Sequence, residues 1–179
     1  MSYLLPADDA LIAGEAVFAR RLTNSAAVGT GNGNLRLSYF TARKTESIGT
    51  VRTVSGGTAA VGTTLARIGI YEEASNGDLT LVGATANDTN LWIAQNTVYT
   101  KSLSASFTKK LGTRYAVGTL VVGTSTAPTL CGLAYLVAAE LAETPRLAGI
   151  LLSQTDLPSS ITAGSIGGTA NQAYAALAA

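Results

Sequence analysis

The chain has 179 residues, and its 12 Lys and Arg residues against 11 Asp and Glu residues give a formal net charge of +1. A charge this close to neutral gives the protein no electrostatic reason to bind nucleic acid or an anionic membrane. The sequence has no histidine and one cysteine, which excludes histidine-activated nucleophiles, the usual zinc sites and an intrachain disulfide.

Two further features bear on where the protein works. Charged residues make up 13% of the sequence, against about 25% in an average soluble domain, and this favours a surface that packs against neighbouring chains. The N-terminus lacks the basic and apolar regions of a secretory signal, and no stretch approaches the roughly 18 apolar residues that span a bilayer. We therefore expect a soluble protein made in a cytosol.

Residues 1–34 are predicted to form an N-terminal arm, a short helix followed by a flexible linker. Pro6 and the two Asp residues after it are typical of a helix start, and apolar residues recur near helical spacing between Leu11 and Leu22. Residues 24–34 are rich in Gly and Asn, which predicts the linker. The arm is our candidate docking segment for a larger particle, through Tyr3, Leu4, Leu5, Leu11, Ile12, Val17, Phe18, Arg20 and Arg21.

Residues 35–152 are predicted to form one β-sandwich domain of about eight antiparallel strands. Apolar residues alternate with polar ones in short segments, and Gly, Asn, Ser and Thr turns separate the segments. Gly49 is a candidate bulge, and Asn76-Gly77 is a strong hairpin signal. The predicted strands are 35–40, 45–54, 66–71, one beginning at Leu79, 98–107, 114–122, 130–137 and 147–152.

Residues 153–179 form the third segment, a C-terminal tail that ends in an Ala-rich stretch. Its composition is too apolar for a disordered tail in solvent. We expect it to pack on the sandwich or on a neighbouring chain.

The residue patterns that resemble catalytic motifs have simpler interpretations. Adjacent carboxylates on a strand, as in Glu72-Glu73, point to opposite faces and cannot act on one substrate, and Asp8-Asp9 looks like a helix start. The glycines of residues 29–33 precede a strand, whereas a phosphate loop precedes a helix. Cys131 lies in an apolar run, which predicts a buried filler. We therefore predict a protein without enzymatic activity, metal or cofactor.

A small basic cluster surrounds one predicted turn and consists of Lys101, Lys109, Lys110 and Arg114. A nucleic-acid site would interleave such residues with aromatic ones, and this cluster has no such aromatics. It therefore predicts the solvated end of a hairpin.

The segment around Trp92 has two interpretations. An exposed tryptophan flanked by amides can stack on a sugar ring while the amides bind its hydroxyls. Alternatively, Trp92 turns inward and caps the sandwich, which the flanking Leu91 and Ile93 favour. The candidate glycan loop consists of Asn87, Asp88, Asn90, Trp92 and Gln95.

In order and spacing, several segments resemble the jelly-roll-like β-sandwich domains of virion proteins of tailed phages, especially phages that infect actinobacteria. The resemblance covers about residues 35 to 160 and rests on packing and turn motifs. The segments that carry it are 35–48, 54–60, 65–71, 76–82, 99–103, 114–118, 145–149 and 154–158.

The resemblance implies a structural virion protein, a homotrimer that contacts the major capsid protein or tail proteins. Such domains often end long fibre proteins, whereas only about 34 residues precede the domain in this sequence. We therefore expect a capsid decoration or head-accessory protein, attached through the arm, that stabilises the assembled shell. The alternative is a minor tail or adsorption protein that recognises a host glycan through the Trp92 loop.

Overall fold

The structure is a computed structural model that describes residues 14–134 and 144–179. This part of the chain contains thirteen β-strands and two short 3-10 helices, at Arg20–Leu22 and Ala163–Ser165. The strands are β1 (Glu15–Ala16), β2 (Asn24–Gly29), β3 (Leu35–Thr41), β4 (Glu46–Val54), β5 (Leu65–Glu73), β6 (Leu79–Ala84), β7 (Val98–Lys109), β8 (Arg114–Val122), β9 (Thr129–Ala134), β10 (Ala148–Leu151), β11 (Ser160–Ile161), β12 (Asn171–Ala173) and β13 (Ala175–Ala178).

The strands of the described residues form three antiparallel sheets. The six-stranded sheet has the order β10-β3-β8-β5-β6-β11, the four-stranded sheet β1-β13-β4-β7, and the three-stranded sheet β12-β9-β2. The main core lies where one face of the six-stranded sheet meets the other two sheets. Residues buried there include Phe40, Ile68, Val117, Val51, Leu130 and Leu177.

The six-stranded sheet is also buried on its opposite face. Alternation along a strand sends successive side chains to opposite faces, so Phe40 joins the main core while Tyr39 joins a second one. The C-terminal tail covers this second face. The second core unites Leu35, Leu37, Tyr71, Leu79 and Leu120 of the sheet with Leu157, Ile161 and Ile166 of the tail.

The predicted all-β class is confirmed, and each of the eight predicted strands corresponds to one of β3 to β10. The register between β4 and β7 shifts between Ile48 and Thr50, so Gly49 marks an irregularity where a bulge was predicted. The Asn76-Gly77 turn joins β5 to β6, with Gly77 at a φ of 85°. Cys131 is buried, as predicted.

The predicted N-terminal helix is wrong over residues 14–22, and its part over residues 6–13 lies outside the described residues. Glu15–Ala16 is a strand that pairs with β13, and Arg20–Leu22 is a single 3-10 turn. Val17 continues the pairing by donating its backbone N–H to the carbonyl of Ala175, at 2.9 Å. Tertiary pairing with the chain's other end therefore overrides a weak helical pattern.

The predicted linker is also wrong over residues 24–29, which form β2 and pair with β9. Strands from the predicted arm and from the predicted tail share sheets with the central strands. In one sheet β13 pairs with β4 and β1 pairs with β13, and in another β2 and β12 lie on either side of β9. Removal of residues 1–34 would therefore take two strands out of the sheets.

Candidate interaction surfaces

Five described segments at one end of the sandwich contain no charged residue. Because the central strands run antiparallel, alternate connections meet at the same end. The segments at this end are 30–34, 55–64, 89–98, 123–128 and 152–155, and each lacks Asp, Glu, Lys and Arg. We call this surface the charge-free end. The sequence analysis did not predict this surface. A signal for it was present, because segments without charge recur between segments that contain charged residues.

Backbone hydrogen bonds join these segments into one surface. Gly33 donates to the carbonyl of Val121, at 2.7 Å, and Gln154 donates to the carbonyl of Gly33, also at 2.7 Å. Val61 pairs with Thr126. Buried backbone groups are nearly always paired, and these bonds set the positions of the loops relative to one another.

Large apolar side chains are exposed on the charge-free end. Val61 is 54% exposed, Ile93 51%, Val98 55% and Leu152 59%. Ala60 donates its N–H to the carbonyl of Trp92, at 2.9 Å, so the chain segments that carry Val61 and Ile93 lie side by side. Neighbouring apolar groups at loop tips are typical of surfaces that contact another molecule.

Backbone strain is concentrated at the same end. The non-glycine residues of the described part with positive φ are Trp92 at 65°, Asn96 at 49° and Ser153 at 59°. Bulky residues adopt this conformation at a cost, and such strain is often found at functional surfaces.

Trp92 is fully buried, which corrects its assignment to a glycan loop. Its indole Nε1 donates to Thr53 Oγ1 at 3.0 Å, and Leu91 is buried beside it. The ring therefore cannot stack on a sugar, and Trp92 caps the sandwich in line with the alternative interpretation. The turn at Trp92 directs Ile93 outward, against the expectation that both flanking residues face inward.

The other members of the candidate glycan loop either form contacts within the chain or are individually exposed. The Asn87 amide accepts from the N–H of Ala66, at 2.9 Å, and donates to the carbonyl of Thr64, at 3.1 Å. Asn90 and Gln95 are exposed. The loop thus lacks the aromatic platform that a sugar site needs.

The charges nearest the charge-free end differ in their pairing. Arg36 Nε donates to the carbonyl of Thr30 at 3.3 Å, and Arg52 is exposed; neither arginine forms an ion pair with a described residue, whereas two other pairs of charges do. Asp88 forms an ion pair with Lys101, and Arg67 Nη1 lies 2.7 Å from Asp156 Oδ1. The hydrogen bond from Lys101 holds the pKa of Asp88 below its ordinary value, and the N–H of Asn90 adds to this effect. Paired charges project little net field, so the positive charge near this end comes from Arg36 and Arg52.

The opposite end carries a buried ion cluster. Lys109 has a fully buried side chain, and its Nζ lies 2.7 Å from Glu15 Oε2 and 3.0 Å from Glu46 Oε1. It also donates to the carbonyl of Lys44 at 2.7 Å. The prediction of a solvated basic cluster is therefore wrong for Lys109, because β1 brings Glu15 over it.

A cavity of about 710 Å³ lies at the same end and is lined by Glu73, Asn76, Arg114 and Arg146 among others. Its charged groups already have partners. Arg114 Nε lies 2.5 Å from Glu73 Oε2, and its Nη2 donates to the carbonyl of Arg146 at 2.6 Å. Glu72 instead accepts from the hydroxyl of Tyr115. The two adjacent glutamates thus serve separate structural contacts.

The described part of the candidate docking arm packs on the chain itself. Val17 contacts the main core, and the Phe18 ring lies 5.8 Å from the ring of Tyr174. Arg20 is exposed, and Arg21 lies beside it in the same 3-10 turn. The remaining arm residues, Tyr3, Leu4, Leu5, Leu11 and Ile12, lie outside the described residues.

Within residues 14–134 and 144–179, no group of three or more Cys, Asp or Glu residues is arranged to hold a metal ion. In the same residues, no helix has the length and apolarity needed to cross a membrane. No family model matches the chain, and no curated protein matches it either.

Proposed function

We propose that this chain is a non-enzymatic structural protein of a phage virion, a capsid decoration or head-accessory protein that acts as a trimer. The observation that carries the proposal is the charge-free end, which exposes Val61, Ile93, Val98 and Leu152. A surface of this kind is stable when it is covered by protein. The phage assignment follows from the resemblance of residues 35–160 to virion sandwiches.

The jelly-roll-like topology belongs to the same proposal. The chain passes from β3 in one sheet to β4 in another, returns for the β5–β6 hairpin, crosses to β7 and returns to β8. As a result β8 lies between β3 and β5, far from its neighbours in sequence. Strand exchange between packed sheets of this kind is typical of Greek-key sandwiches.

The proposed mechanism is linkage by mass action. A protein that binds the assembled shell, but not its separate subunits, stabilises the shell by the free energy of that binding. Since Val17 and Phe18 pack on their own chain, attachment to the shell is assigned to Tyr3, Leu4, Leu5, Leu11 and Ile12.

The test uses particles of the phage that encodes this chain. Heads and tails are separated, and the chain is quantified in each fraction by mass spectrometry. We expect it on heads in a multiple of three copies, and heads that lack it should release their DNA at a lower temperature. Its presence only on tails would favour the minor tail alternative, and its absence from both fractions would refute the virion proposal.

A further inference from the structure

We propose that Lys109 and Glu15 react with each other in the folded chain and form an amide bond, an internal cross-link between β7 and β1. The reaction is a condensation. The Nζ atom of Lys109 bonds to the carboxyl carbon of Glu15, one C–O bond of that carboxyl breaks, and one water molecule leaves. The bond is a property of the single chain and therefore goes beyond the proposed function.

The reacting groups are held in contact in the interior of the protein. The side chain of Lys109 is fully buried, that of Glu15 is 7% exposed, and Nζ lies 2.7 Å from Oε2. Groups fixed at such a distance react as if each were present at a very high concentration. A lysine removed from water is also a stronger nucleophile than a solvated one once it has lost its proton. Because Lys109 has no contact with bulk water, hydrolysis of the product is disfavoured.

A backbone donor holds the second oxygen of the Glu15 carboxyl. The N–H of Arg43 donates to Oε1 at 2.7 Å. When an amine adds to a carboxyl carbon, negative charge develops on the oxygen that stays, and a fixed N–H group at that oxygen stabilises the charge. The two oxygens of Glu15 therefore have different fates. Oε1 becomes the amide oxygen, and Oε2, which lies beside Lys109, leaves as water.

Glu46 provides the path for a proton. Its Oε1 lies 3.0 Å from Nζ. One proton passes from the ammonium directly to Glu15 Oε2, and the second passes through Glu46 to the same leaving oxygen. An ammonium and a carboxylate thus become one amide and one water without another reactant. Burial acts to raise the pKa of Glu46, but hydrogen bonds from Lys44 and Lys109 outweigh it and lower that pKa, so Glu46 is ionised and accepts the proton.

The surroundings of the two carboxylates select Glu15 as the one that reacts. Glu15 is nearer to Nζ than Glu46 is, and its side chain is 7% exposed against 19%. The second oxygen of Glu46 lies 2.5 Å from the ammonium of Lys44, which keeps it a carboxylate, whereas the second oxygen of Glu15 meets a neutral N–H. The amide bond would fasten β1, a strand of two residues, to the end of β7.

Intact-mass spectrometry of the full chain in a denaturing solvent detects the bond, because denaturation separates an ion pair and leaves an amide in place. We expect the wild type to be lighter than its sequence by one water molecule, and Lys109→Met to have its full mass. Lys110→Met is the matched control, since Lys110 is exposed on the adjacent residue, and it should lose water like the wild type. In tryptic digests, residues 1–20 should be joined to residues 102–110.

Glu46→Gln tests the proton path. This variant keeps the contact between Lys109 and Glu15 but removes the proton acceptor, so the loss of water after refolding should be slower by about a hundredfold or more. An unchanged rate would refute the role of Glu46.

The wild-type measurement decides the main point and requires no variant to fold. A folded wild type that keeps its full mass after long incubation would overturn the inference. A link between residues 45–52, which contain Glu46, and residues 102–110 would overturn the choice of Glu15. Neither result affects the quantification of the chain on heads and tails, so the proposed function is tested separately.

Discussion

Lys109 and Glu15 form an ion pair in the interior of the protein, with 2.7 Å between Nζ and Oε2. Glu46 Oε1 and the carbonyl of Lys44 complete the set of acceptors for the three N–H groups of the ammonium. Glu15 Oε1 also accepts the backbone N–H of Arg43, at 2.7 Å. One charge cluster therefore ties β1 to the β3–β4 connection and to the end of β7.

Replacement of Lys109 by methionine tests this cluster. The change leaves Glu15 buried without its counter-ion, while Glu46 keeps its ion pair with Lys44, and we expect the free energy of unfolding to fall by about 3–5 kcal/mol. Denaturation by urea measures the loss. Lys110→Met is the matched control, because Lys110 is exposed on the adjacent residue, and it should stay within about 0.5 kcal/mol of the wild type.

A second substitution separates loss of charge balance from loss of packing. In the Lys109→Met background, Glu15→Gln removes the carboxylate charge that has lost its partner and should restore part of the stability. Equal stability of Lys109→Met and Lys110→Met would show that the buried cluster contributes nothing to the fold.

Two carboxylates make stability depend on acid pH. Burial acts to raise the pKa of Glu46, but hydrogen bonds from Lys44 and Lys109 outweigh it and lower that pKa, and Lys101 lowers the pKa of Asp88. A carboxylate with a depressed pKa in the folded state stabilises the protein above its unfolded pKa of about 4. This contribution is lost as the pH falls below that value toward the folded pKa.

Urea denaturation at a series of pH values checks the acid prediction. We expect Asp88→Asn to reduce the slope of stability against pH below about pH 4, where the unfolded state takes up the proton first. A slope identical to that of the wild type would contradict the role of the Asp88–Lys101 pair. Asp78→Asn changes another carboxylate and provides a comparison.

Tyr39 makes stability depend on alkaline pH. Burial is the main reason that its pKa rises to about 12, and the nearby charge of Glu73 adds to the effect. The unfolded chain releases the phenolic proton near pH 10 while the folded chain retains it, so the stability present below pH 10 decreases as the pH rises toward the folded pKa. We expect Tyr39→Phe to reduce the pH dependence of the free energy of unfolding by up to about 1.4 kcal/mol per pH unit. Urea denaturation between about pH 10 and the folded pKa of about 12 measures this change.

The central strands could be predicted from sequence because their side chains alternate and their turns contain Gly or Asn. Leu35, Leu37 and Tyr39 alternate with residues on the other face, and Asn76-Gly77 specifies its hairpin. These signals are local. They identify strands without identifying which strands pair, and so the class of fold was predicted while the three-sheet arrangement was not.

The terminal strands could not be predicted because their pairing partners lie far away in the sequence. Ala176 pairs with Arg52, and Asn24 pairs with Gly132. Ala, Gly and Asn have low strand propensity, and the segments form strands because small residues fit beside the existing sheets. The burial of Lys109 was missed for the same reason, since its partner Glu15 comes from such a segment.

The Trp92–Thr53 hydrogen bond predicts a measurable coupling. Trp92→Phe removes the donor and leaves part of the space unfilled, while Thr53→Val removes the acceptor. Each single change should lower the free energy of unfolding by about 1–3 kcal/mol, because each leaves a buried polar group without its partner or opens a cavity. The double variant should cost less than the sum of the two, and strictly additive losses in urea denaturation would show that the bond contributes nothing.

Gly132 provides the test of the strand assignments at residues 24–29 and 171–173. It lies in β9 opposite Asn24 on one side and Ala173 on the other, and a Cβ there would come within 2.3 Å of the carbonyl oxygen of Gln172 and 2.5 Å of Val28 Cγ2. Gly132→Ala should therefore destabilise the protein by about 1–3 kcal/mol.

Gly29→Ala is the matched control for Gly132→Ala. Gly29 belongs to β2, beside β9, and a Cβ at this position has no atom within 4 Å. Alanine costs less conformational entropy than glycine in a strand, so this variant should be neutral or more stable by up to about 1 kcal/mol. If residues 24–29 were a linker and not a strand, Val28 would not crowd position 132, and the difference between the two alanine variants in thermal unfolding would shrink.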